Sequence, residues 1–278
     1  MDVSEPGAVG VPAIALTMTS ARTFLYCAAG ALVLTASQVQ AGPPDVPLKP
    51  AAEVSPWEFR LEPYFWATGI TGETGVLFRE VPTDLGFKQV FQHLKMAIPV
   101  QMELRYNRFG LLTDIIYADI GGYIAAPRIQ QLALDDKMLI FQFVPNFRVF
   151  KSDKGFLDLL GGLRGWDMTL RITGFRQPGI VTSGGYFKES QTRTWVDGIV
   201  GMRGQYFLFG DTFVAAYADI GGGSSKLTWQ VQATMGYKFS QRTSAEFGWR
   251  VLSDNYVDGG FTYNVKQQGI YSGVSFTW

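Results

Sequence analysis

Cysteine, histidine and charge are all scarce in this chain. Its 278 residues include one cysteine and one histidine; charged residues make up 17%, and 24 lysines and arginines cancel 24 aspartates and glutamates. A net charge of zero gives no electrostatic footprint for nucleic acid, so no nucleic-acid partner is expected. The mean hydropathy of +0.07 is too low for a bundle of membrane-spanning helices. The apolar run Thr23 to Ala36 is shorter than the ~20 residues such a helix needs. No Asp/Glu/His cluster has metal-ligand spacing, and no glycine-rich loop leads from a strand into a helix as a phosphate site requires. Neither a metal nor a cofactor is expected.

That apolar run has another explanation. From Met18 the chain reads Met-Thr-Ser-Ala-Arg, then the apolar stretch, then Val39-x-Ala41, the order of a secretory signal peptide with cleavage near Ala41. Residues 1–17 place Asp2 and Glu5 where a signal would be basic; they read as a mis-assigned start, with an N-terminal extension as the alternative. Cys27 lies within residues 18–41, the signal itself, so export leaves no cysteine from Gly42 onward. Disulfides, thiol catalysis and thiolate metal sites are thereby excluded from the mature chain. Residues 42–56 carry five prolines and no periodicity, which suits an extended periplasmic lead-in.

Glycine (32) and aromatic residues (14%) are plentiful, and from residue 57 to 278 the chain alternates. Trp57, Phe59, Leu61, Pro63 and Phe65 oppose Glu58, Arg60, Glu62 and Tyr64; Leu227, Trp229, Val231, Ala233 and Met235 oppose Thr228, Gln230, Gln232, Thr234 and Gly236. Period two marks strands. Ten candidates emerge, with eight or twelve as alternative counts, and in Leu111 to Ile120 the period does not decide whether Asp114 or Tyr117 faces inward. Short connections (107–110, 151–155, 210–211, 240–242) interleave with longer ones (69–89, 121–134, 174–191, 221–226, 254–260). That order is expected of an all-β, antiparallel, up-and-down transmembrane barrel with short inner turns and longer outer loops. Tyr-Ala-Asp-Ile-Gly-Gly occurs at 117–122 and again at 217–222 and reads as a repeated strand end.

One face of most strands carries charge. Arg60, Arg105, Arg148, Arg164, Arg203, Lys238 and Arg250 stand against Glu58, Glu62, Glu103, Asp158, Asp197 and Glu246. In a soluble β-sandwich few inward faces would be charged; in a barrel the two signs can pair across the lumen. At the chain end Val274, Phe276 and Trp278 share one face, which resembles the C-terminal assembly signal of bacterial outer-membrane β-barrels, with Trp278 where those proteins most often have Phe. Residues 57–278 are similar to the small outer-membrane barrels of the OmpA, OmpW and porin-like superfamily. The resemblance implies a Gram-negative outer membrane, with the barrel-assembly machinery and periplasmic chaperones as transient partners; a monomer among outer-membrane lipid and lipopolysaccharide is expected.

Function is less defined. Buried charges cost several kcal/mol each unless paired, so a near-balanced lumen suits a structural plug or a narrow solute-passing conduit. Outer-membrane enzymes use histidine with serine or acidic partners near the outer rim. Here His93 stands where the first outer loop enters the second strand, with Asp84, Ser183 and Asp254 as acid or serine candidates, which makes a peptide or lipid hydrolase the alternative; the expectation is a non-enzyme. The loops at Thr71–Lys88 and Phe175–Lys188 mix aromatic and basic residues and offer a third role, surface binding. Trp57, Tyr106, Phe150, Phe239 and Trp278 below, and Trp66, Trp166, Trp195 and Tyr256 above, are expected to form two interfacial girdles.

Overall fold

The computed structural model describes residues 55–76, 79–126, 129–176 and 185–278. The proposed start, signal and most of the lead-in lie outside them. Eleven strands and one short helix follow in order: β1 (Trp57–Val76), β2 (Arg79–Leu85), α1 (Phe87–His93), β3 (Leu94–Tyr106), β4 (Phe109–Ala126), β5 (Ile129–Ser152), β6 (Gly155–Arg176), β7 (Gly185–Phe209), β8 (Thr212–Gly223), β9 (Leu227–Lys238), β10 (Thr243–Asp258) and β11 (Phe261–Thr277).

All pairings are antiparallel between chain neighbours, with β3 taking its place beside β1. The ring closes where β11 pairs with β1, from Arg60↔Thr277 to Gly75↔Thr262. Two backbone hydrogen bonds continue that ladder to the chain end, Phe59 N to Trp278 O (3.2 Å) and Trp278 N to Phe59 O (2.9 Å). Ten strands form the closed barrel, and β2 hangs on the upper part of β1, paired from Ile70↔Leu85 to Val76↔Arg79. Closure removes the sheet edges that an open antiparallel sheet would leave unpaired, except where β1 and β3 part above Pro63↔Val100.

The inner turns fall where the spacing places them. Asn107 (φ 53°) and Gly210 (φ 52°) supply the left-handed residues of two of them, a conformation that Asn and Gly adopt at little cost. The outer connections differ from expectation because the strands continue beyond the Gly-Gly pairs. β10 and β11 are joined by Gly259 and Gly260 alone, both at positive φ. The segment expected to be a first outer loop contains instead the end of β1, all of β2, and the first turn of α1.

The repeated hexapeptide is not a repeated structure. In β4 Ala118 and Ile120 are buried and Asp119 faces out, bridged by Lys95 and Lys137 (3.7 and 3.6 Å). In β8 Tyr217 and Asp219 are buried and Ile220 is exposed. The two copies show opposite faces, because facing is set by register along the strand and six residues do not carry it. Asp114, four positions before Ala118 on β4, is buried and points inward.

Candidate functional site

The inward residues form layers. Nearest the inner turns, Asp158 of β6 is fully buried and receives Arg105 Nη2 (2.6 Å), Arg148 Nε (2.8 Å), and Arg203 Nε and Nη2 (both 3.1 Å). Glu103 accepts from Arg105 Nη2 (2.6 Å) and from Arg203. Beside this group Glu62 pairs with Arg60 and accepts from Tyr271 Oη and Ser275 Oγ, both at 2.6 Å. Glu246 accepts from Thr234 Oγ1 at 2.9 Å. Arg60 thus pairs with Glu62, and Arg105, Arg148 and Arg203 gather around Glu103 and Asp158, while Glu246 is held by the Thr234 hydroxyl. The low dielectric of the interior strengthens each such pair and penalises any group left alone.

A second layer crosses the middle. Arg164 Nη2 reaches Asp219 Oδ2 (2.6 Å) and its Nη1 reaches Thr228 Oγ1 (2.9 Å). Arg250 Nη2 reaches Asp114 Oδ2 (2.6 Å) and Gln230 Oε1 (3.0 Å), while its Nη1 donates to Tyr64 Oη (2.9 Å), which donates on to Asp114 Oδ1 (2.8 Å). Gln142 Nε2 joins at Gln230 Oε1 (3.1 Å). These bonds tie β1, β4, β5, β6, β8, β9 and β10 together across the lumen.

Toward the outer end the interior changes character. Trp195 stacks on Tyr256 (centroids 4.2 Å, 3° between planes) and on Trp166 (5.5 Å, 6°), and Tyr263 meets Trp166 edge-on at 5.6 Å. Met138, Ile140, Met168 and Leu252 pack with them, all buried. Alongside, Ser225 turns inward from the β8–β9 connection. Its N–H donates to Asp197 Oδ1 (2.7 Å) and its hydroxyl contacts both carboxylate oxygens of Asp254 (3.1 and 3.0 Å).

The outer wall has the reverse polarity. Phe59, Leu104, Phe143, Leu159, Met202 and Phe247 stand exposed on their strands while the arginines and carboxylates face in. A wall that is apolar outside and charged inside costs free energy in water and is favoured in lipid. This is the fold of an outer-membrane β-barrel. No family model matches the chain, and no curated protein matches it in sequence. Among solved structures it is similar to the outer membrane protease OmpT from Escherichia coli (11% identity, TM-score 0.48, covering 81% of this chain and 98% of that one). It is also similar to Neisserial surface protein A (11%, 0.35, 80% and 97%) and to Ail, the attachment invasion locus protein of Yersinia pestis (12%, 0.34, 80% and 98%).

Of the thirteen lumen charges named from the sequence, eight lie in the inner layer just described and Arg164 and Arg250 in the middle one. Asp197 bonds the Ser225 backbone, Lys238 is half-buried near the inner rim, and Glu58 is exposed there. Asp114 and Asp219, the partners of Arg250 and Arg164, are absent from that set. They lie 136 and 55 positions from their arginines, so only the barrel's closure brings the pairs together.

The barrel's upper girdle needs correction. Trp66 (9% exposed), Trp166 (0%), Trp195 (3%) and Tyr256 (7%) are inside, not at the lipid interface, whereas Trp57 (53%) and Trp278 (59%) stand outside at the lower rim with Tyr106, Phe150 and Phe239. Position near a strand end suggested the girdle; the parity of those positions, shared with charged residues such as Arg164 and Asp197, was the signal that places them inside. Val274, Phe276 and Trp278 all point outward on or just beyond β11. His93 ends α1, where its Nδ1 lies 2.7 Å from Gln89 O. Asp254 is engaged by Ser225, Asp84 is exposed on β2, and Ser183 lies outside the described residues.

Proposed function

We propose that the protein is a monomeric integral barrel of the Gram-negative outer membrane, delivered by export with cleavage near Ala41, whose lumen is closed to water and ions. The observation that carries this reading is the buried ring around Asp158, where Arg105, Arg203 and Glu103 converge on one cross-section of the barrel. Ten strands leave only slightly more room than the eight whose interior side chains can fill. Long arginine side chains held by several acceptors each fill it. Above them the Gln230 layer and the stacked aromatics close the section twice more. On this reading the paired charges rigidify the wall, and a solute moving along the axis would have to break ion pairs that have no water to replace them.

The reading gives His93 no catalytic part: its Nδ1 is taken up within its own helix, and no carboxylate is bonded to it among the described residues. Lipopolysaccharide would meet the outer hairpins, and Val274, Phe276 and Trp278 would present the assembly signal. The test is single-channel conductance of the folded protein in a planar bilayer, folding being checked by heat-modifiable gel mobility. Silence is expected. Discrete, reproducible openings from folded protein would overturn the closed-lumen reading.

A further inference from the structure

The wall of the barrel is interrupted at one place. β1 and β3 pair only from Trp57↔Tyr106 to Pro63↔Val100, and β1 regains a partner on that edge at Ile70↔Leu85. Between these points Tyr64 to Gly69 pair with β11 alone, and Leu94 to Pro99 of β3 pair with β4 alone. Six residues of strand are roughly 20 Å of wall. Pro63 and Pro99 stand where the ladder ends, and neither has an N–H with which to extend it.

The lower part of the interruption lies at bilayer depth, where Phe65 on β1 and Met96 and Ile98 on β3 face out, apolar and exposed, while Lys95, paired with Asp119 and Asp135, marks its upper end at the polar interface. An open sheet edge facing hydrocarbon leaves polar backbone without partners, which a membrane protein tolerates only where other protein covers it. The cover here is α1, which packs against β1 and β4. It turns Phe87 and Phe91 outward, with Phe87 edge-on to Phe65 (6.4 Å), and buries Val90. A helix of seven residues is only about 10 Å long, so it covers part of the break and is held there by few groups.

Val90 rests on the apolar interior, whose buried side chains run without a break from Tyr64, Trp66 and Ile116 beside the interruption to the Trp166–Trp195–Tyr256 stack. Lipid outside and aromatic interior inside are therefore separated by one short helix. The indole Nε1 groups of Trp66, Trp166 and Trp195, all deep in that interior, have no acceptor among the described residues.

We propose that α1 is a side door, through which small aromatic molecules dissolved in the outer leaflet exchange with the aromatic interior by displacing Val90. Stacking surfaces favour a planar guest, and indole donors suit one carrying at most a weak acceptor. Charged or strongly hydrated molecules would gain nothing on this route, and the ion-pair layers below block onward passage to the periplasm. This goes beyond the closed-lumen reading and is separable from it, since conductance and lateral entry are read by different experiments.

The seven tryptophans supply the probe. Replacing the outward-facing Trp57, Trp229, Trp249 and Trp278 by Phe leaves Trp66, Trp166 and Trp195 as the only emitters. The full chain, in a Cys27→Ser background, carries Phe65→Cys and Phe87→Cys so that a reducible bifunctional thiol reagent can tie α1 to β1. In lipid vesicles, 1-bromonaphthalene should quench the untied protein, quench the tied protein several-fold less, and recover its effect on reduction, while bromine fixed to phospholipid chains quenches neither. Heat-modifiable mobility confirms folding in each state. Equal quenching of tied and untied protein, or none in either, would overturn the proposal.

Discussion

Replacing Asp158 by Asn should be the most damaging single change in the inner layer. The carboxylate is fully buried and accepts from three arginines, at 2.6 Å from Arg105, 2.8 Å from Arg148 and 3.1 Å from Arg203. Asparagine keeps the shape but removes the charge, and one of its two oxygens becomes a donor aimed at guanidinium groups. Arg148 then has no carboxylate partner in the group, while Arg105 and Arg203 must share Glu103. Breaking a buried pair on one side typically costs about 3–5 kcal/mol, a loss of roughly 10²- to 10⁴-fold in the ratio of folded to unfolded protein. Equilibrium urea unfolding in lipid vesicles, followed by tryptophan emission and gel mobility, reads this directly. Adding Arg148→Gln to Asp158→Asn removes the stranded cation, so the double variant should recover part of the loss and give a non-additive cycle. A loss below about 1 kcal/mol, the scale of an exposed pair, or strictly additive single and double variants, would refute the argument that the cluster acts as one buried electrostatic unit.

Two further outcomes are expected. Gly72 sits at φ 139° where β1 is paired on both sides, and a Cβ there would run into the Asn264 carbonyl; Gly72→Ala should destabilise the barrel by about 1–3 kcal/mol, and unchanged urea midpoints would count against that close approach. Trp278 is exposed, stacks loosely on Phe276 (6.4 Å) and Phe59 (5.7 Å) and adds little burial. Its replacement by Ala should therefore lower the yield of assembled barrel in cells far more than the stability of protein refolded in vitro; equal effects on both would remove its proposed role as a sorting signal.

Legibility differed from element to element for physical reasons. β9 was readable because its lipid-facing Leu227, Val231 and Met235 alternate with buried Thr228, Gln230 and Thr234, and alternation is local. The inner turns were readable for the same reason, their glycines and asparagine being intrinsic. The Arg164–Asp219 and Arg250–Asp114 pairs were not, because cross-lumen neighbours depend on the ring being closed. Nor was α1: seven residues with Phe87, Val90 and Phe91 on the sides they need are too few for a helical period to stand out from a loop. The interior tryptophans had the parity of lumen residues, but aromatic rings at strand ends fit an interface equally well on composition alone.

The pairing of β11 with β1 bears on how the molecule is made. The two strands that seal the ring are the first and the last of the barrel, and the hydrogen bonds between Phe59 and Trp278 put the barrel's two ends side by side. A ribosome delivers Trp57 more than two hundred residues before it delivers Trp278, so β1 must wait, apolar on one side and charged on the other, until β11 has been made. Contacts of such long sequence separation form slowly. For the whole of that interval the barrel has two raw margins, and each stays open to any other strand until β11 arrives to join them.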